Sequence, residues 1–575
     1  MLDVEVQMPK IRGGLIASSR PVGSPVARGS IVTNDGPEPL VIGAIGRSRP
    51  EILAKMTLLQ QLEPVIQERD LIVVSSSPLP GWSSNEERGV YWRRLDSSVV
   101  PSSRDQAWME SGSPGLAWTE DDIVLHSDFI GVWPVFYTRE EQAIYFSNRL
   151  APVVAATSSP SLDVLAWTSM LSTRSMPPGR SPVAEVSTMK PGHALRYRRR
   201  TEDTDWVVGP PLAVGDSASV PELIEAIQTV LAAASPMTLA LSGGYDSRFL
   251  LACGLAAGLD IEAITADPDT GYRVDVEQAQ TVAGVAGVEW EEASAATEWF
   301  DHFAIGVDRL DYMTNFHPWF IPTWRRLHRK GRSVVFGLGG GITLNDHLQI
   351  TPLEDQPTVK MQRLLLERFG LSRLSSPLNS GIAAGLCDLG TDLHQELASM
   401  LTITGDPGSW QARSILALRT APSIAAIGTR LTGPEVPVCL PHMTPRVLRC
   451  SLSPGIHSRR GDSFYQELIA ATHVELAAIP TAQRLMDPAL QRLPRRQTSH
   501  FNIRSLADLL IGDEVAAGTL DRALIDRLCD PDGLATEYDR YQTALHGAAC
   551  LALFRRRFPE VDSTALGELA HRPHL

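Results

Sequence analysis

The chain has 575 residues, of which 43% are hydrophobic and 21% charged, which is an ordinary globular balance and enough length for two or more domains. Its formal net charge of −14 argues against a general nucleic-acid binder, so no nucleic-acid partner is expected. The six cysteines form no C-x-x-C pair, no apolar stretch approaches a membrane span, and the N-terminus lacks a signal pattern, so we expect a cytoplasmic protein without a zinc site or a membrane partner.

The first 200 or so residues are predicted to be mainly β, because short apolar runs alternate with Gly, Pro and Ser clusters. The clearest stretch predicts three strands and a later turn that enters a fourth, at 123–125, 132–137, 143–147 and 190–197. Residues 202–220 are polar, contain Pro and Gly, and are predicted to form a linker.

A short apolar run at 237–241 leads into Ser242-Gly243-Gly244-Tyr245-Asp246-Ser247, and an apolar helical pattern follows. Two glycines let the backbone turn sharply and bring N–H groups close to an anion, while the helix points its positive end at the same place. The two serines add hydroxyl groups, and a carboxylate beside phosphates suits Mg²⁺. This pattern predicts a pyrophosphate-binding loop; the alternative is a Gly-Gly turn with a serine cap.

The elements after this loop predict a parallel, doubly wound sheet. Strands at 261–265 and 333–336 alternate with a helix at 275–285, and such sheets bind ligands at the carboxyl ends of their strands. The rest of the chain is predicted to be helical, with helices at 361–369, 411–418, 464–472, 505–510 and 546–558.

The loop resembles that of ATP pyrophosphatases, which split ATP into AMP and pyrophosphate. Three stretches before it, HSDFIGVWPVFY, IYFSNRLAPVVA and MKPGHALRY, resemble the glutaminase-type domain of class B asparagine synthetases, in that family's order. The resemblance implies an α/β protein with two domains. Residues 1–205 would form an Ntn-like, β-rich αββα domain, and residues 206–575 an ATP-pyrophosphatase domain with a doubly wound parallel sheet and a helical C-terminal part.

The first domain departs from that family at its nucleophile. Working glutaminases of the family carry cysteine as the first residue of the mature chain, whereas this chain has Leu2 there and its first cysteine is Cys253. The resemblance therefore implies a degenerate domain that acts as a scaffold. Ammonia from glutamine is then not available, and the attacking amine must come with the substrate.

The resemblance also implies a set of site residues. ATP and pyrophosphate would be bound by Leu241, Ser242, Gly243, Gly244, Tyr245, Asp246, Ser247, Thr265, Gly337, Gly339 and Gly340. Asp246 would bind Mg²⁺. The family's second metal ligand is an aspartate at the end of the 333–336 strand, but this chain has Gly341 there. The sequence leaves three alternatives: Asp346 reaches back, phosphates and water complete the coordination, or the enzyme is weakened or inactive.

Two further positions differ from the family. Relatives place a lysine near the reacting phosphate, in a stretch where this chain has Arg459 and Arg460; a cation there would stabilise the charge on the α-phosphate, and the alternative is a surface arginine pair. His442 occupies the aspartate position of the family's PFLD-type segment.

Within this family the sequence is most similar to the macrolactam synthetases (cyclases) of lasso peptide biosynthesis. The resemblance implies adenylation of an Asp or Glu side chain of a precursor core peptide, followed by attack of the peptide's N-terminal amine, whose pKa of about 7.7–8.0 leaves a usable neutral fraction. ATP and Mg²⁺ would be the cofactors, and a leader peptidase and a leader-recognition protein are candidate partners. Two alternatives remain: a β-lactam synthetase, disfavoured because Leu338 replaces a tyrosine of the base dyad, and a non-catalytic scaffold, suggested by Gly341.

Overall fold

The computed structural model describes residues 40–57, 62–68, 70–77, 79, 81–83, 88–91, 114–208, 217–294, 297–316, 320–345, 378, 382, 410–432 and 436–570. The predicted helix at 361–369 and the candidate metal ligand Asp346 lie outside these residues. The described chain is a mixed α/β protein with two antiparallel sheets, one parallel sheet and many helices. None of its described helices is both long and apolar enough to cross a bilayer.

The first half of the described structure, residues 41–208, contains two antiparallel sheets of six strands each. Their strand orders are β10-β8-β9-β1-β3-β2 and β12-β11-β7-β6-β5-β4. The strands are β1 Val41–Gly46, β2 Glu63–Glu68, β3 Leu71–Ser75, β4 Gly81–Ser83, β5 Arg88–Tyr91, β6 Gly115–Trp118, β7 Asp122–His126, β8 Phe136–Glu140, β9 Ala143–Ser147, β10 Ser187–Thr188, β11 His193–Arg198 and β12 Asp203–Val208.

The two sheets pack face to face, because alternate residues of each strand point to a shared apolar layer. Val73 and Phe146 of one sheet meet Leu125 and Leu195 of the other in this core. The opposite face of the first sheet is covered by helices, beginning with Leu150–Ala156 and Val164–Thr173. Within the described part of the chain no helical layer covers the second sheet's outer face, so the full αββα arrangement stays a prediction.

The prediction of a strand at 132–137 is wrong for its first four residues, since β8 begins only at Phe136. The reason is Asp128, whose carboxylate oxygens accept four successive backbone N–H groups, from Ile130, Gly131, Val132 and Trp133 at 2.6–3.1 Å. This carboxylate-centred turn replaces the start of the expected strand.

The predicted linker at 202–220 is shorter than expected, because β12 occupies Asp203–Val208 and pairs with β11 along its length. The predicted domain boundary between residues 205 and 206 therefore falls inside a strand of the first half. The next described helix, Val220–Ala233, starts with a capping box formed by Ser219 and Glu222.

The second half contains a five-stranded sheet in the order β15-β14-β13-β16-β17, with every neighbouring pair parallel as predicted for its core. Its strands are β13 Met237–Ala240, β14 Ile261–Ala266, β15 Trp290–Ala293, β16 Ser333–Phe336 and β17 Val438–Cys439. Helices cover both faces: Leu239 and Val335 point into one apolar cluster, and Ile264 and Val334 into the other. These helices include Tyr245–Ala256, Val274–Ala286, Trp299–Arg309 and Ile321–Lys330.

The remaining described chain is helical, as predicted. Its α-helices are Gly340–Thr343, Trp410–Ile415, Pro445–Ser451, Pro454–His457, Asp462–Ala470, Val474–Ala478, Ala482–Leu485, His500–Ile511, Glu514–Gly518, Arg522–Leu528, Pro531–Arg557 and Thr564–Ala570. Short 3₁₀ turns lie at Pro441–Met443 and Arg496–Thr498. The helix predicted at 411–418 continues instead as π-helix over Leu416–Ala425 and Ile427–Leu431, with Pro422 inside it.

The last helices pack against the first half rather than against the parallel sheet. The helix Pro531–Arg557 lies against Val164–Thr173, and residues of both share one apolar cluster with the first sheet. Backbone hydrogen bonds also join the C-terminal region to the first half. The N–H of Leu162 donates to the carbonyl of Asp562, and the N–H of Asp562 donates to the carbonyl of Pro160, both at 2.8 Å. The two halves of the chain therefore share a core.

Candidate functional site

The 242–247 loop lies at the carboxyl end of β13, where the helix Tyr245–Ala256 begins after Gly244. The first N–H groups of any helix have no acceptor inside it, and they carry the positive end of the helix dipole. The space beside Gly244 is open, since an added Cβ there would meet only the Ser242 hydroxyl, at 3.4 Å. The helix start is therefore able to receive an anion.

Several loop groups predicted to bind phosphate bond to protein instead. The N–H of Ser242 donates to Oγ of Ser247 at 3.0 Å, and the two serine hydroxyls lie 3.1 Å apart. The N–H of Gly243 donates to Oδ1 of Asp275 at 3.0 Å. The loop thus closes on itself, and a phosphate would meet the helix N-terminus before it met Gly243.

Arg248 fixes the backbone of the loop by hydrogen bonds. Its side chain is fully buried, and it donates to the carbonyls of Gly243 at 3.2 Å and Pro480 at 3.1 Å, and also to that of Ile479. The N–H of Ala482 donates to the same Gly243 carbonyl at 3.0 Å. Sequence analysis assigned no role to Arg248, because its carbonyl acceptors at Ile479 and Pro480 lie far along the chain.

The glycine-rich segment after β16 packs directly on the loop. An added Cβ on Gly337 would lie 2.6 Å from the backbone nitrogen of Ser247, and one on Gly340 would lie 2.6 Å from Oη of Tyr465 and 2.9 Å from Cγ of Asp246. Gly339 has a φ of +94°, which a side chain rarely adopts. The glycines are required by this close approach, so the structure brings the two predicted segments together.

Asp246 accepts the N–H of Gly341 on Oδ2 at 2.8 Å. The Tyr465 hydroxyl faces the same carboxylate, although its geometry falls short of a regular hydrogen bond. Burial raises the pKa of Asp246 to about 6, and these two neighbours oppose that rise. Gly341, the position at which the sequence resemblance predicts a second aspartate, thus supplies an N–H to the Asp246 carboxylate rather than a carboxylate of its own.

His442 lies behind Asp246. It is fully buried, its Nε2 is 3.5 Å from the backbone oxygen of Asp246, and burial lowers its pKa to about 4, so the ring is neutral. Tyr465 stacks on Tyr245 with ring centroids 5.6 Å apart. Tyr465 was missed by sequence reasoning, since its position in an apolar helix is equally typical of a core aromatic.

The described residues do not form a protein-built Mg²⁺ site. No group of three or more His, Cys, Asp or Glu side chains lies together among them, and the carboxylates described at the loop are Asp246 and Asp275, which accepts the N–H of Gly243. Asp346, the candidate second ligand, lies outside them. The arrangement fits the phosphates of a nucleotide better than it fits a metal held by several side chains.

The other predicted residues have structural partners. Thr265 is buried, donates to the carbonyl of Leu241 at 2.9 Å and accepts from Nε1 of Trp290 at 2.9 Å. Arg459 pairs with Glu467 on the surface and lies over the Phe464 ring at 4.8 Å.

Arg460 donates to the carbonyl of His457 at 3.0 Å. No described hydrogen bond joins Arg459 or Arg460 to the loop. Leu338 packs against the apolar cluster that contains Phe336, and its side chain offers no proton acceptor.

Comparisons with known proteins add little to this geometry. Models of protein families give no match to the sequence, and neither do curated proteins. Among solved structures, the chain has a weak similarity to glutamine phosphoribosylpyrophosphate amidotransferase from B. subtilis, complexed with ADP and GMP. The identity is 10%, the match covers 59% of this chain and 74% of that one, and the TM-score is 0.18, a value too low to carry an argument.

Proposed function

We propose that this chain is an ATP-dependent, AMP-forming amide ligase of the asparagine synthetase-like kind. The observation that carries the proposal is the Ser-Gly-Gly-x-Asp-Ser turn, which links a central parallel strand to a helix N-terminus at the carboxyl edge of the sheet. A helix start at that edge is where α/β sheets bind nucleotide phosphates. The Gly337 and Gly340 contacts support it, because they fix the second phosphate-side segment against the loop.

The proposed reaction is macrolactam formation on a lasso precursor peptide. A side-chain carboxylate of Asp or Glu attacks the α-phosphorus of ATP, which releases pyrophosphate, and the peptide's N-terminal amine then displaces AMP to form an isopeptide bond. The sequence resemblance supports this choice of substrate. A leader peptidase and a leader-recognition protein are the proposed partners.

The chain's own residues have limited roles in this proposal. The helix start after Gly244 binds phosphate, and Arg248 and Asp275 hold the loop in shape. Asp246 is the one described carboxylate assigned to the Mg²⁺ that accompanies ATP. Holding the folded peptide so that its amine meets the acyl carbon supplies roughly 7–11 kcal/mol of the barrier reduction, so no dedicated base is assigned.

The test is incubation of the purified chain with ATP and a candidate core peptide. We expect AMP, pyrophosphate and a product lighter by one water, and we expect Asp246→Ala to abolish the reaction while the protein stays folded. Glutamine should be neither hydrolysed nor used, because the glutaminase-like stretches of this sequence contain no cysteine to act as the nucleophile. Normal turnover in Asp246→Ala, or glutamate release from glutamine, would contradict the assignment.

A non-catalytic scaffold is the second candidate, because the N–H of Gly341 already donates to the Asp246 carboxylate and the Tyr465 hydroxyl faces it. It predicts that the wild-type chain shows no pyrophosphate exchange with any peptide. A β-lactam synthetase is less favoured, since Leu338 lies in an apolar cluster.

A further inference from the structure

A cavity of about 330 Å³ lies where the first half, the parallel sheet and the C-terminal helices meet. Its walls include Arg174, Asp269, Trp299, Arg492, Arg495 and His546. Asp269 follows the carboxyl end of β14, the strand next to β13 in the sheet. The cavity therefore opens at the same sheet edge as the 242–247 loop, one strand away.

Arg174 is the central cation of this cavity. Its Nε donates to Oδ1 of Asn315 at 2.8 Å, and its Nη2 donates to the carbonyl of Asn315 and contacts Nδ1 of His546, both at 3.0 Å. These bonds fix the plane of the guanidinium. The hydrogen bonds described for this side chain use Nε and Nη2 and none uses Nη1, and Arg174 lines the cavity.

The other charged side chains around the cavity have partners of their own. Arg492 and Arg495 share the carboxylate of Asp539, with Arg492 at 2.7 Å. Asp269 accepts the backbone N–H groups of Arg496 and Gln497 at 2.9 and 3.0 Å. Arg174 has no described carboxylate partner, so the wall carries an excess of positive charge that a ligand's anion could match.

His546 helps to fix the position of the Arg174 guanidinium. Because arginine cannot accept a hydrogen bond, Nδ1 of His546 must be the acceptor, and its Nε2–H then donates to the Tyr538 hydroxyl. The ring also lies against Trp299, with centroids 4.9 Å apart. An apolar wall beside a fixed guanidinium, whose Nη1 still carries two N–H donors, is suited to a carboxylate on an organic molecule.

The segment 482–493 connects the cavity to the loop. Ala482 bonds to Gly243 of the loop at 3.0 Å, and the N–H of Leu493 donates to Gly271 beside the cavity at 2.8 Å. Between these points the segment exposes apolar side chains, namely Leu485, Met486, Leu490 and Leu493. Such a surface can hold an extended apolar chain between the two sites.

We propose that this cavity binds an acidic side chain of a peptide, with Nη1 of Arg174 as its charge partner. The inference rests on the proposed function for its choice of a peptide, since the cavity would then orient the substrate beside the nucleotide. Its test uses binding alone, so that it can fail or succeed independently of the ligase reaction.

The experiment measures binding of the tripeptide N-acetyl-Gly-Glu-Gly-amide to the full chain by calorimetry, without ATP. The peptide with Gln in place of Glu is the neutral comparison. We expect the Glu peptide to bind more tightly, and Arg174→Gln to weaken it by roughly 10- to 100-fold and to remove the preference. ATP binding by Arg174→Gln should stay unchanged, whereas Asp246→Ala should affect ATP and not the peptide.

Two further variants distinguish the loss of a charge partner from misfolding. Arg492→Gln, at a half-exposed side chain of the same wall, should weaken the Glu peptide by a smaller factor, while Arg200→Gln, at an exposed arginine paired with Asp121, should leave it unchanged. Arg174→Lys should retain part of the preference. Equal binding of the Glu and Gln peptides, wild-type affinity in both Arg174→Gln and Arg492→Gln, or binding of inorganic phosphate without binding of the Glu peptide would overturn the proposal.

Discussion

The ionised form of the Asp246 carboxylate is destabilised by burial. Burial raises its pKa to about 6, and the described groups that face it, the Gly341 N–H and the Tyr465 hydroxyl, compensate this cost only in part. A cation that arrives with a nucleotide would stabilise the ionised form, since opposite charge favours it. At the scale of single residues, therefore, a cation beside Asp246 would lower the pKa of its carboxyl group.

A substitution at Gly340 tests how closely the glycine-rich segment packs against Asp246 and Tyr465. Gly340→Ala would place a methyl group 2.6 Å from Oη of Tyr465 and 2.9 Å from Cγ of Asp246, so we expect a loss of about 1–3 kcal/mol in the free energy of unfolding and lower pyrophosphate exchange. Gly284→Ala is the control, because nothing lies within 4 Å of its added Cβ and alanine favours its helix by up to about 1 kcal/mol. Urea unfolding measures both. Parent-like behaviour of Gly340→Ala would show that the segment yields easily.

His546 predicts a dependence of stability on pH. Burial, Arg174 and Arg495 lower its folded pKa well below the ordinary 6.5, so its neutral form contributes stability that is fully present above the unfolded pKa of about 6.5 and is lost as pH falls below it. The slope is at most about 1.4 kcal/mol per pH unit. His546→Gln retains an acceptor and a donor on its side chain and cannot titrate, so its urea midpoint should fall less than that of the parent between about pH 7 and about pH 5. Parallel curves would show that His546 does not titrate on unfolding.

At the scale of elements, the short segment between the helices Pro454–His457 and Asp462–Ala470 carries the arginine pair that the sequence suggested. Arg459 is already neutralised by Glu467, whereas Arg460 is less exposed and bonds to a backbone carbonyl. If one of them stabilises the phosphate charge, it is Arg460.

We therefore expect Arg460→Ala to lower kcat by roughly 10²–10³ with little change in the KM for ATP, as for other lost transition-state donors. Arg459→Ala is the matched control and should behave like the parent. Initial rates of pyrophosphate release over a range of ATP concentrations separate the two parameters. An equal, small effect of both variants would make the pair a surface feature.

Much of the element pattern could be predicted, because hydrophobic runs and glycines report local structure. The 333–336 strand, the 143–147 strand and the helix starting near residue 274 lie where periodicity and turn residues placed them. The start of β8 could not be predicted, because four N–H groups converge on one carboxylate, Asp128, which no periodicity reveals.

The candidate site shows the same division. The turn at 242–247 and the glycines of 337–340 follow from local sequence, since positive φ and close approach require glycine. The partners of that turn come from far along the chain: Asp275 on Gly243, Tyr465 beside Asp246, and the carbonyl of Pro480 on Arg248. Such contacts depend on tertiary packing, which single-sequence patterns do not encode.

At the scale of the whole molecule, the described chain is two sheet systems joined by a shared helical layer. Trp167 of the first half lies against Phe554 of the last long helix, with ring centroids 5.3 Å apart, and both belong to the cluster that covers the first sheet. The proposed peptide cavity lies at this junction, so its shape depends on both halves. The packing of the C-terminal helices thus becomes a condition for the site.

Gly547 gives the test of that dependence. An added Cβ would lie 2.7 Å from Cα of Leu171, a backbone atom that cannot move aside cheaply, so we expect Gly547→Ala to cost about 1–3 kcal/mol in the free energy of unfolding despite its better helix propensity. Gly567→Ala, with nothing within 4 Å, is the control. Amide hydrogen exchange of Gly547→Ala, measured on peptide fragments, should be faster than in the parent in 164–173, in 531–557 and in β9. Residues 220–256 should stay protected. If only 531–557 exchanges faster, the long helix is a separable appendage and the first sheet does not depend on it.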